Sequence, residues 1–263
     1  MKELILIKLG GSLITDKSKP YSARNSVINR LAKEVKSALK TKKARIIIAN
    51  GSGSFGHSAA SIYKTQEGII NKNSLKGFSV VADAAIQINR IVINEFLKFG
   101  LPVVSFSPLS FIIASEKNPR KLFIEPLINA LNLGLIPVIY GDVVIDYKRG
   151  FCILSGEKTL TILAKKLKSD YTKIRIIYCG DTDGVLDKYG KTIPLINDSV
   201  FNKIRKDIKG SKAIDVTGGM LHKVQESLIS AKIGTKILII NGMRINELEK
   251  AILEKGYKGT LVK

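Results

Sequence analysis

The sequence predicts an α/β protein built on a mainly parallel β-sheet. Short apolar, β-branched runs recur along the chain, stretches of helical spacing separate them, and glycine-bearing turns close several of the runs. The first run, Leu4–Leu9, reads as a strand: Lys8 interrupts it and no small-residue cleavage pattern follows, so the start does not resemble a secretory leader. Further strands fall at Arg45–Ala49, Val103–Phe106, Ile136–Tyr140, Ile174–Cys179 and Lys236–Ile240, all far short of the ~20 apolar residues of a membrane-spanning helix. Between them the apolar spacing places helices at about Asn25–Lys40, Gly77–Phe99, Pro126–Leu133, Thr159–Lys168, Gly219–Lys232 and Ile245–Leu253. Strand and helix in turn require a mainly parallel sheet, which one hairpin, Val143–Leu154, interrupts with two short strands around a polar turn. On the Gly77–Phe99 helix, Val80, Ala84, Ile88, Ile91 and Phe96 form an apolar face for core or subunit packing, part of which could wall a pocket.

Composition narrows the class. With 263 residues, 45% of them hydrophobic, the chain can bury a full core as one large domain or two joined lobes, and no repeat or Pro/Ser-rich linker divides it. Two cysteines, Cys152 and Cys179, are too few for a disulfide framework or a structural zinc site, so a reducing cytoplasm is expected. Forty-three Lys and Arg against 22 Asp and Glu give a net charge of +21, which favours anionic partners. The basic residues are scattered and aromatics make up only 6%, a pattern of a solvated lysine-rich surface more than of a nucleic-acid footprint.

Four glycine-bearing turns end strands, where open α/β sheets bind ligands. The first is Lys8-Leu9-Gly10-Gly11-Ser12, followed by Asp16 and Lys17; its amides suit a phosphate and its lysines could follow a phosphoryl group in flight. The second, Asn50 to His57, packs Gly51, Ser52, Gly53, Ser54 and Gly56 before an imidazole, an open backbone able to turn several N–H groups toward an anion. His57 could equally cap a helix or lie satisfied in the core. The third, Ser155-Gly156-Glu157, leads into a helix, and the fourth pairs Gly180-Asp181-Thr182-Asp183-Gly184 with Thr217-Gly218-Gly219-Met220 and Lys223. Asp-x-Asp-Gly could hold calcium or magnesium, but no EF-hand spacing follows, and no residue is assigned as a metal ligand. His222, beside Lys223 on a helix, is expected on an exposed face.

Taken in order, these turns and Tyr140-Gly141-Asp142 resemble the amino acid kinase superfamily over essentially the whole chain, and the histidine closing the glycine loop resembles the isopentenyl phosphate kinase family within it. The resemblance implies an open three-layer αβα sandwich forming one domain over 1–263, with a lobe of about 1–168 for the phosphate acceptor and one of about 169–263 for the nucleotide. It implies ATP and Mg2+, a small-molecule acceptor, no nucleic-acid or membrane partner, and a homodimer. Carried over by position, Lys8, Gly10, Gly11 and Ser12 would hold the ATP phosphates and Lys17 the transferred group. Ser52 and Gly53 would lie between donor and acceptor, with Gly53 toward ATP. His57 and Gly156 would touch the acceptor phosphate, and Asp181, Gly219 and Lys223 would face the nucleotide.

Two segments depart from the family pattern. Asn50-Gly51-Ser52-Gly53 stands where the family commonly has His-Gly-Gly-Gly, and a serine there narrows the allowed φ. Glu157 replaces the usual aspartate, whose carboxylate orients the active-site lysines in relatives, and reaches one methylene further. The competing readings are a fosfomycin-type phosphonate kinase, which shares the histidine loop, and a non-catalytic nucleotide or nucleic-acid binder on the same fold.

Overall fold

The computed structural model describes residues 2–208 and 219–263; the side chains of residues 57, 58 and 206–208 lie outside that description. The strands are β1 (Glu3–Leu9), β2 (Arg45–Asn50), β3 (Val103–Ser105), β4 (Ile112–Ser115), β5 (Asn118–Leu122), β6 (Ile136–Tyr140), β7 (Asp142–Asp146), β8 (Gly150–Leu154), β9 (Lys173–Gly180), β10 (Leu195–Ile196), β11 (Lys236–Asn241) and β12 (Gly259–Val262). The helices are α1 (Gly11–Ile14), α2 (Asn25–Thr41), α3 (Gly53–Tyr63), α4 (Ser74–Leu97), α5 (Pro108–Phe111), α6 (Glu125–Leu133), α7 (Gly156–Lys166), α8 (Asp198–Ile208), α9 (Gly219–Lys232) and α10 (Glu247–Leu253).

Among the described residues, eight strands form the central sheet in the order β10-β12-β11-β9-β1-β2-β6-β3, and only the β11–β12 pair is antiparallel. Every residue of β1 is buried, because helices cover both faces of the sheet and leave no solvent side. Leu4 and Leu6 pack with Leu127 of α6, Leu160 of α7 and Val224 of α9, while Ile5 and Ile7 pack with Leu31 of α2, Ile88 of α4 and Ile252 of α10. That is a three-layer αβα sandwich. A second sheet, β5-β4-β7-β8, stands beside it and delivers the chain directly into α7.

Two expectations are corrected. The Gly-Ser stretch does not stay a turn: from Gly53 it winds into α3, which packs on α4. The longest helix begins at Ser74, three residues before the expected Gly77, and the Ser74 hydroxyl accepts the Ile70 and Asn71 N–H groups just before it. Its expected apolar face holds, with Phe96 fully buried and Val80 and Ile91 packed against the core. Ala84 and Ile88 enter the core as foreseen, whereas Val81 and Ala85 face the cavity described below.

Candidate active site

Gly10, Gly51 and Gly141 follow β1, β2 and β6, and neighbouring turns are laced by backbone bonds. Gly10 N–H donates to Cys179 O (2.8 Å), Gly51 N–H to Leu9 O (2.9 Å) and Gly141 N–H to Asn50 O (3.2 Å). The first two loops touch through their glycines. A Cβ on Gly11 would stand 2.7 Å from Gly53 N, and one on Gly51 would stand 2.6 Å from Gly11 N, closer than any side chain tolerates. Gly53 also has φ +50 and lies directly on the Thr15 side chain. These glycines are therefore required by the meeting of two loops as well as by any anion. Ser52 is explained on the same terms: its φ is −78, an ordinary helical value, so the feared restriction does not arise.

Thr15, which no local sequence signal marks, stands behind the two glycine loops. Fully buried, it donates its hydroxyl to Gly11 O (2.7 Å) and accepts the Ser54 N–H (3.0 Å), tying the two glycine loops with one oxygen. Asn50 is anchored from behind: its Oδ1 accepts from Asn89 Nδ2 on α4 (2.9 Å), and Asn89 Oδ1 accepts from Ser105 Oγ (2.6 Å). Thr15→Val keeps the shape but removes both hydrogen bonds of the bridge, a loss of about 1–3 kcal/mol. The expected result is a melting temperature several degrees lower and a measurably weaker nucleotide affinity; unchanged values for both would contradict the bridging role.

Lys8, although on the central strand, is almost wholly buried, and its Nζ donates to Glu157 Oε1 at 2.7 Å. Burial works against a charge on Glu157, but the Lys8 ammonium, with Lys223 contributing, holds its carboxyl below the ordinary carboxylate range. The extra methylene of glutamate thus still meets the lysine. Gly156 is needed alongside, since a Cβ there would stand 2.9 Å from Lys8 Cε. At the end of β9, Lys223 Nζ lies 3.5 Å from where a Gly180 side chain would begin. Asp181 is exposed at the rim, while Asp183 is taken by Arg244 and Asn241 Nδ2, the latter at 2.7 Å, and does not form a metal cluster with it.

The glycine loops and the lysines border one cavity of about 590 Å³, with Thr15, Asn50 and Asn89 supporting them from behind. Lys8, Gly10–Ser12, Lys17, Ser52, Gly53, Gly156, Glu157, Asp181, Gly219 and Lys223 line it together. His57 lies in α3 beside these residues in sequence, but its side chain lies outside the described residues, as do Thr217 and Gly218. His222 is not on an exposed face: it is half-buried at the same cavity, with Nε2 3.1 Å from Ser155 Oγ. The sequence misjudged it because helix docking, not helical spacing, decides which way that face points.

Beside the polar glycine loops and lysines the cavity has an apolar wall of Ala60, Val81, Ala85 and Ile153, and Val185, Leu186 and Met220 also line it. Asp142 also lines the cavity, and burial pushes its carboxyl up to about 7 against hydrogen bonds from Ser107 Oγ (3.0 Å) and Val143 N–H (2.8 Å). A carboxyl that is partly neutral near pH 7 repels an anionic guest less than an ordinary aspartate would. Chemically, the arrangement offers convergent amides, ammonium groups and a short apolar chamber, which suits an ionised head on a small greasy body.

Residues 3–241 match the model of the amino acid kinase family. The chain is 37% identical over 258 residues to isopentenyl phosphate kinase of Methanocaldococcus jannaschii, covering 95% of each chain. It is 32% identical over 270 residues to isopentenyl phosphate kinase of Methanothermobacter thermautotrophicus, covering 98% of each. Among solved structures it is similar to an isopentenyl phosphate kinase at a TM-score of 0.81 and 28% identity, covering 98% of this chain and 99% of that one.

Proposed function

The chain belongs to the amino acid kinase family, and on that premise we propose that it phosphorylates isopentenyl phosphate with ATP, giving isopentenyl diphosphate and ADP. The observation that carries this reading is the cavity itself, where a buried lysine and glycine loops meet an apolar wall of Ala60, Val81, Ala85 and Ile153. The named relatives do not favour a phosphonate kinase or a non-catalytic binder.

In the proposed reaction a terminal oxygen of the acceptor phosphate attacks the γ-phosphorus of ATP. A new P–O bond forms as the bond to the β,γ-bridging oxygen breaks, and ADP leaves with that electron pair. The acceptor is already ionised, so the protein supplies alignment and charge neutralisation and no strong base. We assign Lys8, Gly10, Gly11, Ser12 and Gly53 to the donor phosphates, Lys17 to the transferred group, and Asp181, Gly219 and Lys223 to the nucleotide. Ser52, Gly156 and His57 are assigned to the acceptor phosphate, and Glu157 to holding Lys8. The first lobe, about 1–168, takes the acceptor and the second, about 169–263, the nucleotide, although one continuous sheet runs through both.

Mg2+ fits as an ion borne by ATP. Among the described residues no three carboxylate, imidazole or thiol groups converge to hold a metal, so phosphate oxygens and water would be its ligands. Bound there, it would neutralise charge on the β- and γ-phosphates. We further propose a homodimer in the cytoplasm, supported by Ile86 and Leu97 standing half-exposed on α4 and by two buried free thiols. No helix of the described residues is long and apolar enough to cross a membrane.

The test is an ATP-coupled assay over isopentenyl phosphate, dimethylallyl phosphate, longer prenyl phosphates and fosfomycin. Highest kcat/KM on a five-carbon phosphate is expected. Turnover of fosfomycin without isopentenyl phosphate would reject the assignment.

A further inference from the structure

His222 has no place in the scheme above, yet it stands at the seam between the two halves of the site. It is carried by the first turn of α9, on the nucleotide side, and meets Ser155, 67 positions earlier, on the acceptor side. Ser155 is the N-cap of α7, its Oγ accepting the Lys158 N–H at 3.1 Å. A serine hydroxyl has one proton and two lone pairs. With one lone pair used by Lys158, the proton can go to a bare ring nitrogen or the second lone pair can take a ring N–H, so the contact forms in either tautomer. Directly after Ser155 come Gly156, packed on the Lys8 methylenes, and Glu157, bonded to Lys8 Nζ. A continuous set of contacts therefore runs from α9 through His222, Ser155 and Glu157 to Lys8.

Resting on the kinase reading, we propose that His222 is a positioning residue for phosphoryl transfer, clamping the start of α7 to α9 and so fixing the Glu157–Lys8 pair relative to the nucleotide. Its effect falls on the transition state more than on acceptor binding, because a misplacement of about 1 Å at the reacting atoms costs on the order of 100-fold in rate.

The experiment is a double-mutant cycle of His222→Ala and Ser155→Ala, with His222→Gln and His222→Leu alongside. His222→Ala is expected to lower kcat about tenfold, the equivalent of one side-chain hydrogen bond, with the KM of isopentenyl phosphate within about twofold. Ser155→Ala should lose a similar factor, and the double variant no more than the worse single one, because both remove the same contact. His222→Gln, which keeps a polar atom at that reach, should stay within about threefold of the wild type, whereas His222→Leu should match alanine. The glutamine and leucine pair decides the matter even if the alanine variant fails to fold. Additive losses in the cycle, equal activity of the glutamine and leucine variants, or a loss confined to the KM of isopentenyl phosphate would overturn the proposal. Read in parallel on slow ATP hydrolysis, with water as acceptor, the same cycle needs no isopentenyl phosphate. A cycle that holds there while the wild type ignores isopentenyl phosphate would reject the acceptor and support the role of His222.

Discussion

Lys8→Met should lower kcat by about 10²–10³-fold while leaving the fold intact, the magnitude expected when one preorganised donor to a developing anion is removed. Methionine fills a similar volume on β1 but offers no proton to a phosphate and strands Glu157, whose side chain is 14% exposed. Losing one partner of a largely buried pair should cost about 3 kcal/mol of stability. The double variant Lys8→Met/Glu157→Gln separates the two effects. Its melting temperature should recover toward the wild type because no unpaired charge remains, whereas its activity should stay as low as that of the single variant. Activity of Lys8→Met within about threefold of the wild type would remove Lys8 from the phosphate site.

The second large effect concerns stability and lies outside the reacting groups. Asp146 is buried at the end of β7, and its carboxylate accepts four backbone N–H groups: Glu116 (3.0 Å), Lys117 (2.8 Å), Lys148 (3.0 Å) and Arg149 (3.1 Å). Glu116 and Lys117 both have positive φ, 51 and 63, a conformation that non-glycine residues hold only when their surroundings impose it. Lys158 Nζ fastens the same turn to α7 through Lys117 O at 2.6 Å. One carboxylate thus pins both turns of the small sheet, whose Asp142, Ile153 and Leu154 line the cavity. Asp146→Ala should destabilise the protein by about 3 kcal/mol, because several N–H groups lose their acceptor and nothing then holds the two turns in place.

Burial alone would raise the Asp146 carboxyl, but the four N–H donors hold it down to about 2, against an ordinary 3.8. A folded-state value below the unfolded one means that the charged carboxylate contributes fully above about pH 4 and is lost as pH falls toward 2, some 2 kcal/mol in all. The stability gap between wild type and Asp146→Asn should therefore be constant from pH 7 to 5 and narrow between pH 4 and 2. A gap independent of pH over that range would contradict the assignment.

The central strands were legible because burial on both faces leaves a continuous β-branched run. Arg45–Ala49 and Lys236–Ile240 each fall one residue short of the observed element. β5 gave no such signal: as an exposed edge it reads Asn118-Pro119-Arg120-Lys121-Leu122, with no apolar alternation. α3 was missed for the opposite reason, since Gly53 and Gly56 are poor helix formers and packing on α4 overrides them. Within the site, glycine turns and lysines announce themselves locally. Thr15, Asn89 and His222 do not, because each acts through a partner 39 or more positions away or on a face set by tertiary docking.

The most direct measurement is a ³¹P NMR spectrum of the purified protein mixed with ATP, Mg2+ and isopentenyl phosphate. The monoester signal should disappear in step with the γ-phosphate of ATP, replaced by two mutually coupled resonances of a diphosphate monoester beside those of ADP. ATP loss that yields only inorganic phosphate, or an isopentenyl phosphate signal that persists while ATP remains intact, would contradict transfer from one phosphate to the other.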